Sequence, residues 1–415
     1  TVVVKKAPVT LPSEPFLGMI GSMPPRVVYV VPAAMGGMLN IVAHLLAHRQ
    51  AGGDHRAILT VNPLLPDTLF SGTLAAPTER FVFSMPRENL YSVLRRLARR
   101  VGRGPGVLVA NDWIELAMLW RHDPGTAVLQ ILHGDHDYYY DLARRNERVI
   151  DAFVAYSRRM AEKLVATIPH RAADVFHLPY GIPLPPRVRP AGRSGPLRLV
   201  FAGRLEHGQK GVFDLPEIAR ELERRGVAVE WTVIGGGPDE AELRTRWPDS
   251  RVSWLGVLDN PTLVERLAEF DVFVLPTRAE GFPVALLEAQ GAGLVPVVSD
   301  LESGVPEVVF PGETGFRPPI GDVAAFAESI ATLAGDRAKL DAMSRAGRAL
   351  VANGYQVAER TAAYEALYAR WQELRRPRGE VVGRPPYGSR LDQPWLPNGL
   401  VRAVRQGRRR LGRGR

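Results

Sequence analysis

The feature that most constrains this chain is a repeating unit: a short run of β-branched and aromatic residues, a polar or glycine turn, then a stretch with helical period. "RVVYVV", Arg26 to Val31, is followed by a glycine loop and by the helix-like "MLNIVAHLLAHRQAGG", which stops at Gly52-Gly53. The unit returns in "GVLVANDWIELAMLW", in "TAVLQILHGD" and in "RVIDAFVAYSRRMAEKLV". Pro179 to Pro196, dense in proline and glycine and without apolar period, reads as a stiff linker. Beyond it come five more strand candidates, "LRLVFAG", "VEWTVIGGG", "VSWLG", "DVFVLPT" and "VPVVSD", separated by helical stretches. Alternation of this kind implies parallel sheets covered by helices on both faces. The expected fold is therefore α/β, with two Rossmann-like, doubly wound domains facing a cleft, and ligands beyond the carboxyl ends of the strands. The reading divides the chain into an extension (1–25), a first domain (26–185), a second domain (186–352), a terminal helix crossing back to the first domain (353–375) and a basic tail (376–415).

With 415 residues and 46% hydrophobic content the chain can bury two cores. It has no cysteine, which excludes disulfides, thiolate zinc sites and thiol nucleophiles. The apolar window Val27 to Ala47 is long enough to span a bilayer, but Pro32 and Gly36-Gly37 interrupt it. Lys5-Lys6 lie among prolines at 8, 12, 15, 24 and 25, with no apolar core that would read as a signal peptide. The expectation is a soluble cytoplasmic protein. The net charge of +9 is unevenly placed: residues 376–415 hold eleven arginines against Glu380 and Asp392, so the rest of the chain is neutral. A neutral body argues against a nucleic-acid-binding domain, and no specific nucleic acid is expected as a partner.

Several loops carry side chains suited to chemistry. "LHGDHDYYY", Leu132 to Tyr140, reads alone as a metal set, a catalytic loop or a decorated turn, because His133, Asp135 and Asp137 alternate. "TRAEGFPVALLEA" sets Glu280 and Glu288 eight positions apart around Gly281-Phe282-Pro283. Pro283 suits the first position of a helix whose free N–H groups form an anion site. "FAGRLEHGQKG" places Arg204 and Lys210 in a glycine-flanked loop at another strand end. Two cations beside a helix N-terminus are what a leaving diphosphate needs. "IGGGPDEAEL" adds a third glycine turn, Gly235 to Gly237. One such loop is more often a plain turn, whereas several converging on one sheet edge point to a site.

Taken together, "GRL…KG", "GGGP", "LG" before a helix and the Glu-x7-Glu of "EGFPVALLE" resemble the nucleotide-sugar half of retaining glycosyltransferases of the GT-B fold, family four, from about Leu197 to about Ala352. The resemblance implies transfer of a sugar from a nucleoside diphosphate sugar, uridine-based, to a saccharide or lipid-linked acceptor hydroxyl in glycoconjugate or surface-polysaccharide synthesis, with no metal or other cofactor. By this likeness Glu280, His133, Arg204 and Lys210 are catalytic. Arg204 and Lys210 bind the diphosphate, Glu288 the ribose and the main chain near Val257 the base. Glu280 faces the sugar, with Gly281, Phe282, Val284 and Ala285 around it. Gly37 approaches the phosphate from the other domain, and His133 approaches the sugar near C6. Three departures stand out: Pro283 lacks the N–H of the glycine many relatives have there, Met38-Leu39 replaces a Glu-Arg pair, and six positions separate Arg204 from Lys210.

Other candidates weigh less. His44 and His48 have metalloprotease spacing, but Leu45 stands where a glutamate is needed. Asp112 suits a helix N-cap, and Glu302 and Glu307 suit a turn and a helix start beside the donor. "VAERTAAYEALYARWQEL" has an apolar stripe broken at Thr361. Residues 395–415 mix Trp395, Leu396, Leu400, Val401, Val404 and Leu411 with seven arginines, and an anionic membrane surface would attract them. A solvated tail and RNA contact are the other readings of that segment. Two different functions also remain open on sequence: a nucleotide-sugar epimerase on the same fold, and a scaffold that acts through the tail.

Overall fold

A computed structural model describes residues 24–33, 37–49, 52–65, 74–379 and 381–412; for 407–412 it describes the backbone alone. Most of the extension (1–23), Gly36 of the first glycine loop and the last three residues lie outside it. The first domain contains β1 (Val27–Pro32), α1 (Gly37–Ala47), β2 (His55–Val61), β3 (Thr78–Val82), α2 (Leu90–Val101), β4 (Val107–Ala110), α3 (Trp113–Leu119), β5 (Ala127–Leu132), α4 (Asp137–Asn146), β6 (Ala152–Ala155), α5 (Arg158–Thr167) and β7 (Val175–His177). The second has β8 (Leu197–Ala202), α6 (His207–Lys210), α7 (Asp214–Arg224), β9 (Val229–Ile234), α8 (Glu240–Arg246), β10 (Val252–Gly256), α9 (Asn260–Leu267), β11 (Val272–Leu275), α10 (Val284–Gly291), β12 (Val295–Val298), α11 (Val323–Gly335) and α12 (Arg337–Gly354). Then come α13 (Val357–Ala369), α14 (Trp371–Leu374) and α15 (Asn398–Gly412).

Both sheets are parallel, ordered β3-β2-β1-β4-β5-β6-β7 and β10-β9-β8-β11-β12. Central strands such as β4, "VLVA", and β11, "VFVL", are wholly buried because helices cover both faces, so they read as continuous apolar runs. The strands that the repeating unit does not announce, β2, β3 and β7, carry polar residues: β3 is the edge strand "TERFV", with Thr78, Arg80 and Val82 exposed. In each sheet the order reverses beside the first strand, between β1 and β4 and between β8 and β11. Ligand crevices open at such reversals.

Three segments tie the domains together. Residues 178–182 run buried toward the second domain, with Ile182 and Val357 pairing through backbone bonds at Tyr355 O and Ile182 O. Arg189 in the linker is buried against Asp271 (2.8 Å) and Asp341 (2.7 Å), so this segment lies on the second domain. Helix α13 packs on α1 of the first domain: Tyr368 meets Tyr29 at a ring separation of 6.3 Å, and the Tyr364 hydroxyl donates to Leu178 O. Thr361 is buried, so it continues the apolar stripe that it breaks in the sequence.

The charge count describes a basic tail, yet the described residues of 376–406 form a strap along the first domain. Arg378 pairs with buried Asp151, Val382 N donates to Trp120 O, and Asp392 accepts from Leu90 N at 2.7 Å. The arginines find carboxylates buried elsewhere in the chain, which composition alone does not locate. Among the described residues no helix is long and apolar enough to cross a membrane.

Candidate active site

The carboxyl ends of β8 and β11 build one half of the site. After β8 the chain turns through Leu205 into the one-turn helix α6 and ends it at Gly211, whose φ of +65° suits glycine. A Cβ on Gly211 would lie 1.8 Å from Pro276 O, so glycine is what lets this loop press against the one after β11. The two are zipped together: Arg278 N donates to Gln209 O at 2.7 Å, and Thr277 Oγ1 lies 2.9 Å from the same oxygen. Lys210 is thereby held on Glu280, with Nζ to Oε1 at 2.5 Å, and Thr277 Oγ1 donates to the same oxygen at 3.0 Å. Both charged side chains are largely buried, a placement that is costly unless they are paired. The glycine turn after β9 supports the loop from the other side: a Cβ on Gly235 or Gly237 would strike Gly203 O or Leu205 O. Arg204 points outward, pairs with Glu206 at 3.1 Å and is mostly exposed.

Helix α10 starts beside this pair. Pro283 is its N-cap, one position earlier than the sequence reading places it, and Val284 opens the helix. Phe282 is buried between Tyr180 and Tyr355, and its carbonyl accepts the Tyr180 hydroxyl. Glu288 is buried and accepts from Asn260 Nδ2 at 2.7 Å. Burial pushes its carboxyl up to about 6, with the Asn260 bond opposing. Val257, after β10, is exposed near Gly236.

The first domain supplies the facing wall. Asn111, at the end of β4, donates to Val30 O of β1 at 2.7 Å and so bridges the sheet reversal. Its Oδ1 meets His133 Nε2 at 2.7 Å, and Tyr156 Oη meets His133 Nδ1 at 2.9 Å. Since the Asn111 amide nitrogen is donating elsewhere, its oxygen accepts, which assigns the proton to Nε2 and lets Nδ1 accept from Tyr156. Burial lowers the imidazole to about 3, so it is neutral. His133 thus spends both nitrogens within its own domain and sets the backbone of Gly134. That backbone touches the second domain: a Cβ on Gly281 would lie 2.7 Å from Gly134 Cα. Gly37, at the start of α1, approaches within 3.6 Å of Val284 on the same measure.

The structure therefore brings Lys210, Glu280, Gly281, Val284, Gly37 and the His133 loop together at the domain boundary, while Arg204 and Val257 lie on the rim. It aims Asp135 away from an ion-binding role: Asp135 accepts from Tyr140 Oη (2.6 Å) and pairs with Lys163 (3.1 Å), which also faces Asp137 (3.5 Å). Among the described residues no group of three His, Asp or Glu side chains converges as a metal-binding set. His48 Nδ1 lies 3.1 Å from His44 O. Asp112 is the N-cap of α3 and accepts the Tyr138 hydroxyl. Glu302 and Glu307 reach across to the first domain, to the Arg159 side chain and to Arg158 N and His177. Thr277, Asn260, Asn111, Tyr156 and Tyr180 escape the sequence reading. Each is a lone polar or aromatic residue, and only the fold reveals its partner.

Residues 196–336 match the family described as glycosyl transferases group 1. Among curated proteins, the chain is 36% identical over 166 residues to the amylovoran biosynthesis glycosyltransferase AmsK of Erwinia amylovora, covering 38% of this chain and 40% of that one. The match thus spans about two fifths of that relative's length. It is 27% identical over 325 residues to glycogen synthase of Mycobacterium tuberculosis, covering 73% of this chain and 75% of that one. Among solved structures, Anabaena HepE, determined with UDP and glucose, superposes with a TM-score of 0.69 at 16% identity, over 83% of this chain and 99% of that one. With two parallel-sheet domains meeting at their reversal points, the chain has the GT-B fold, and its second domain matches the glycosyl transferases group 1 family.

Proposed function

We propose that this protein transfers a sugar, with retention, from a uridine diphosphate sugar to a hydroxyl of a saccharide or lipid-linked acceptor in the assembly of a surface polysaccharide. The observation that carries the reading is the buried Lys210–Glu280 pair at the β8/β11 reversal, pressed by Gly211 against the loop that leads into α10. The names of the relatives support it at a coarser level: AmsK is named as an amylovoran biosynthesis glycosyltransferase, WcaL of Escherichia coli is named for colanic acid biosynthesis, and HepE was solved with UDP.

In this reading the diphosphate draws Lys210 from Glu280 toward its own charge, and Arg204 swings in from the rim. As the bond from the anomeric carbon to the leaving phosphate oxygen breaks, these two cations stabilise the charge on that oxygen. The freed Glu280 carboxylate faces the positive charge that grows on the sugar ring. The acceptor hydroxyl attacks from the same face, its oxygen bonds to the anomeric carbon, and its proton passes to the departing phosphate oxygen. Glu288 binds the ribose hydroxyls, the first turn of α10 at Val284 and Ala285 holds the phosphate or sugar, and the Val257 main chain meets the base. His133, locked by Asn111 and Tyr156, holds the loop over the sugar. No divalent ion is needed, so transfer persists in a chelator.

The test is a thermal-shift titration with uridine, guanosine and adenosine diphosphate sugars. A bound donor at about a hundred times its dissociation constant adds roughly 3 kcal/mol of stability. A shift with a uridine donor, lost in Lys210→Ala, is expected; no shift with any donor overturns the reading.

A further inference from the structure

Helix α15 is docked the wrong way round for a helix whose job is only to cover the core. Its inward face is polar: Asn398 Oδ1 accepts from Asn89 N, and Arg402 and Arg405 reach Glu88, with Arg405 also on Asp392 at 2.8 Å. The large apolar residue on that face is Val401. Its outward face presents Leu400 and Val404, four positions apart and therefore on one side, at 53% and 37% exposure, and Trp395 just before the helix is 74% exposed. Of the eleven large apolar residues that the described part exposes, these three fall within ten positions of one another. The sequence from Gln393 to Arg415 contains seven arginines and no acidic residue, so the segment that carries this apolar face has charge of one sign.

From this arrangement we infer that α15 with Trp395 is a docking face for an anionic lipid surface, held on the first domain by the Glu88 and Asp392 pairs. An exposed apolar face on an arginine-rich amphipathic helix is the pattern that settles at the boundary between headgroups and acyl chains. Glu88 belongs to the loop after β3, at the same carboxyl end of the first sheet as Asn111 and His133. The helix therefore sets the mouth of the cleft toward the lipid, where an acceptor anchored in the membrane would arrive. The inference about the surface does not depend on what the cleft binds.

Co-sedimentation of the full chain with vesicles of phosphatidylglycerol and phosphatidylcholine, against phosphatidylcholine alone, tests it. Binding to the anionic vesicles is expected, weakened by salt, and reduced by about tenfold in Leu400→Glu/Val404→Glu and in Trp395→Ala. These positions are exposed, so melting temperature and any donor-induced shift stay at the level of the unmodified chain, which separates this inference from the transferase reading. Equal binding to both vesicle types, undiminished binding by the variants, or preference for a polyuridylate RNA over anionic vesicles overturns it.

Discussion

Gly211 and Glu288 show how single residues set the chemistry. An alanine at Gly211 must hold a left-handed backbone and also clear Pro276 O, which its Cβ would approach to 1.8 Å. We expect Gly211→Ala to cost about 1–3 kcal/mol in urea unfolding, and to lower turnover far more, because it shifts Lys210 off Glu280. Glu288 has a folded-state value of about 6, above the 4.5 of a solvated carboxyl. The folded state therefore keeps a proton that the unfolded chain has lost, and this contribution to stability fades as pH rises through about 6. In the proposed reading the ionised carboxylate accepts from the ribose hydroxyls, so donor affinity should rise over the same interval. Glu288→Gln is expected to flatten that pH profile and weaken the donor by about tenfold in calorimetry, while leaving the protein as stable or more stable at neutral pH. The stretches that carry Lys210, Glu280 and Glu288 were legible in the sequence because glycine and proline mark the strand ends before them. Their partners Thr277 and Asn260 were not, since each is brought in by a separate loop.

At the scale of elements, the strap after α14 is anchored at its start by a buried pair. Arg378 and Asp151 expose 5% and 1% of their side chains, and Asp151 also accepts from Val128 N and Arg376 N. Arg378→Ala leaves that carboxylate buried with its cation removed, and we expect a loss of about 3–5 kcal/mol by denaturant titration. Burial already pushes the Asp151 carboxyl up, with Arg378 opposing. In sequence, Arg378 is one of eleven arginines in a segment that looks solvated, because a buried carboxylate over two hundred positions away leaves no periodic trace. By contrast β1, β4 and β11 were legible, since strands buried on both faces must be apolar throughout.

At the scale of the molecule, two domains meet through backbone at Gly134 and Gly281 and through a row of rings. His133 packs on Tyr156 (5.5 Å), Tyr156 on Tyr180 (4.9 Å), Tyr180 on Phe282 (5.4 Å) and Phe282 on Tyr355 (5.6 Å), so the first domain, linker and second domain share one aromatic seam. The Gly281→Ala methyl would occupy the space of Gly134 Cα and hold the domains apart. We expect a fall in turnover of about tenfold or more with unfolding free energy nearly unchanged, since reacting groups misplaced by about 1 Å lose roughly a hundredfold. A more open solution envelope by X-ray scattering should accompany it.

The sequence by itself determined the central strands of the two parallel sheets, the loop in which Glu280 stands and the helices that carry Lys210 and Glu288, because these follow from local period and from glycine and proline at strand ends. Only the tertiary structure decided that Lys210 rests on Glu280, that His133 is turned to Asn111 and Tyr156, and that Arg378, Arg402 and Arg405 lie along the first domain. Those outcomes depend on which polar group meets which once burial removes water. The choice is made between residues far apart in the chain, where sequence spacing carries no information.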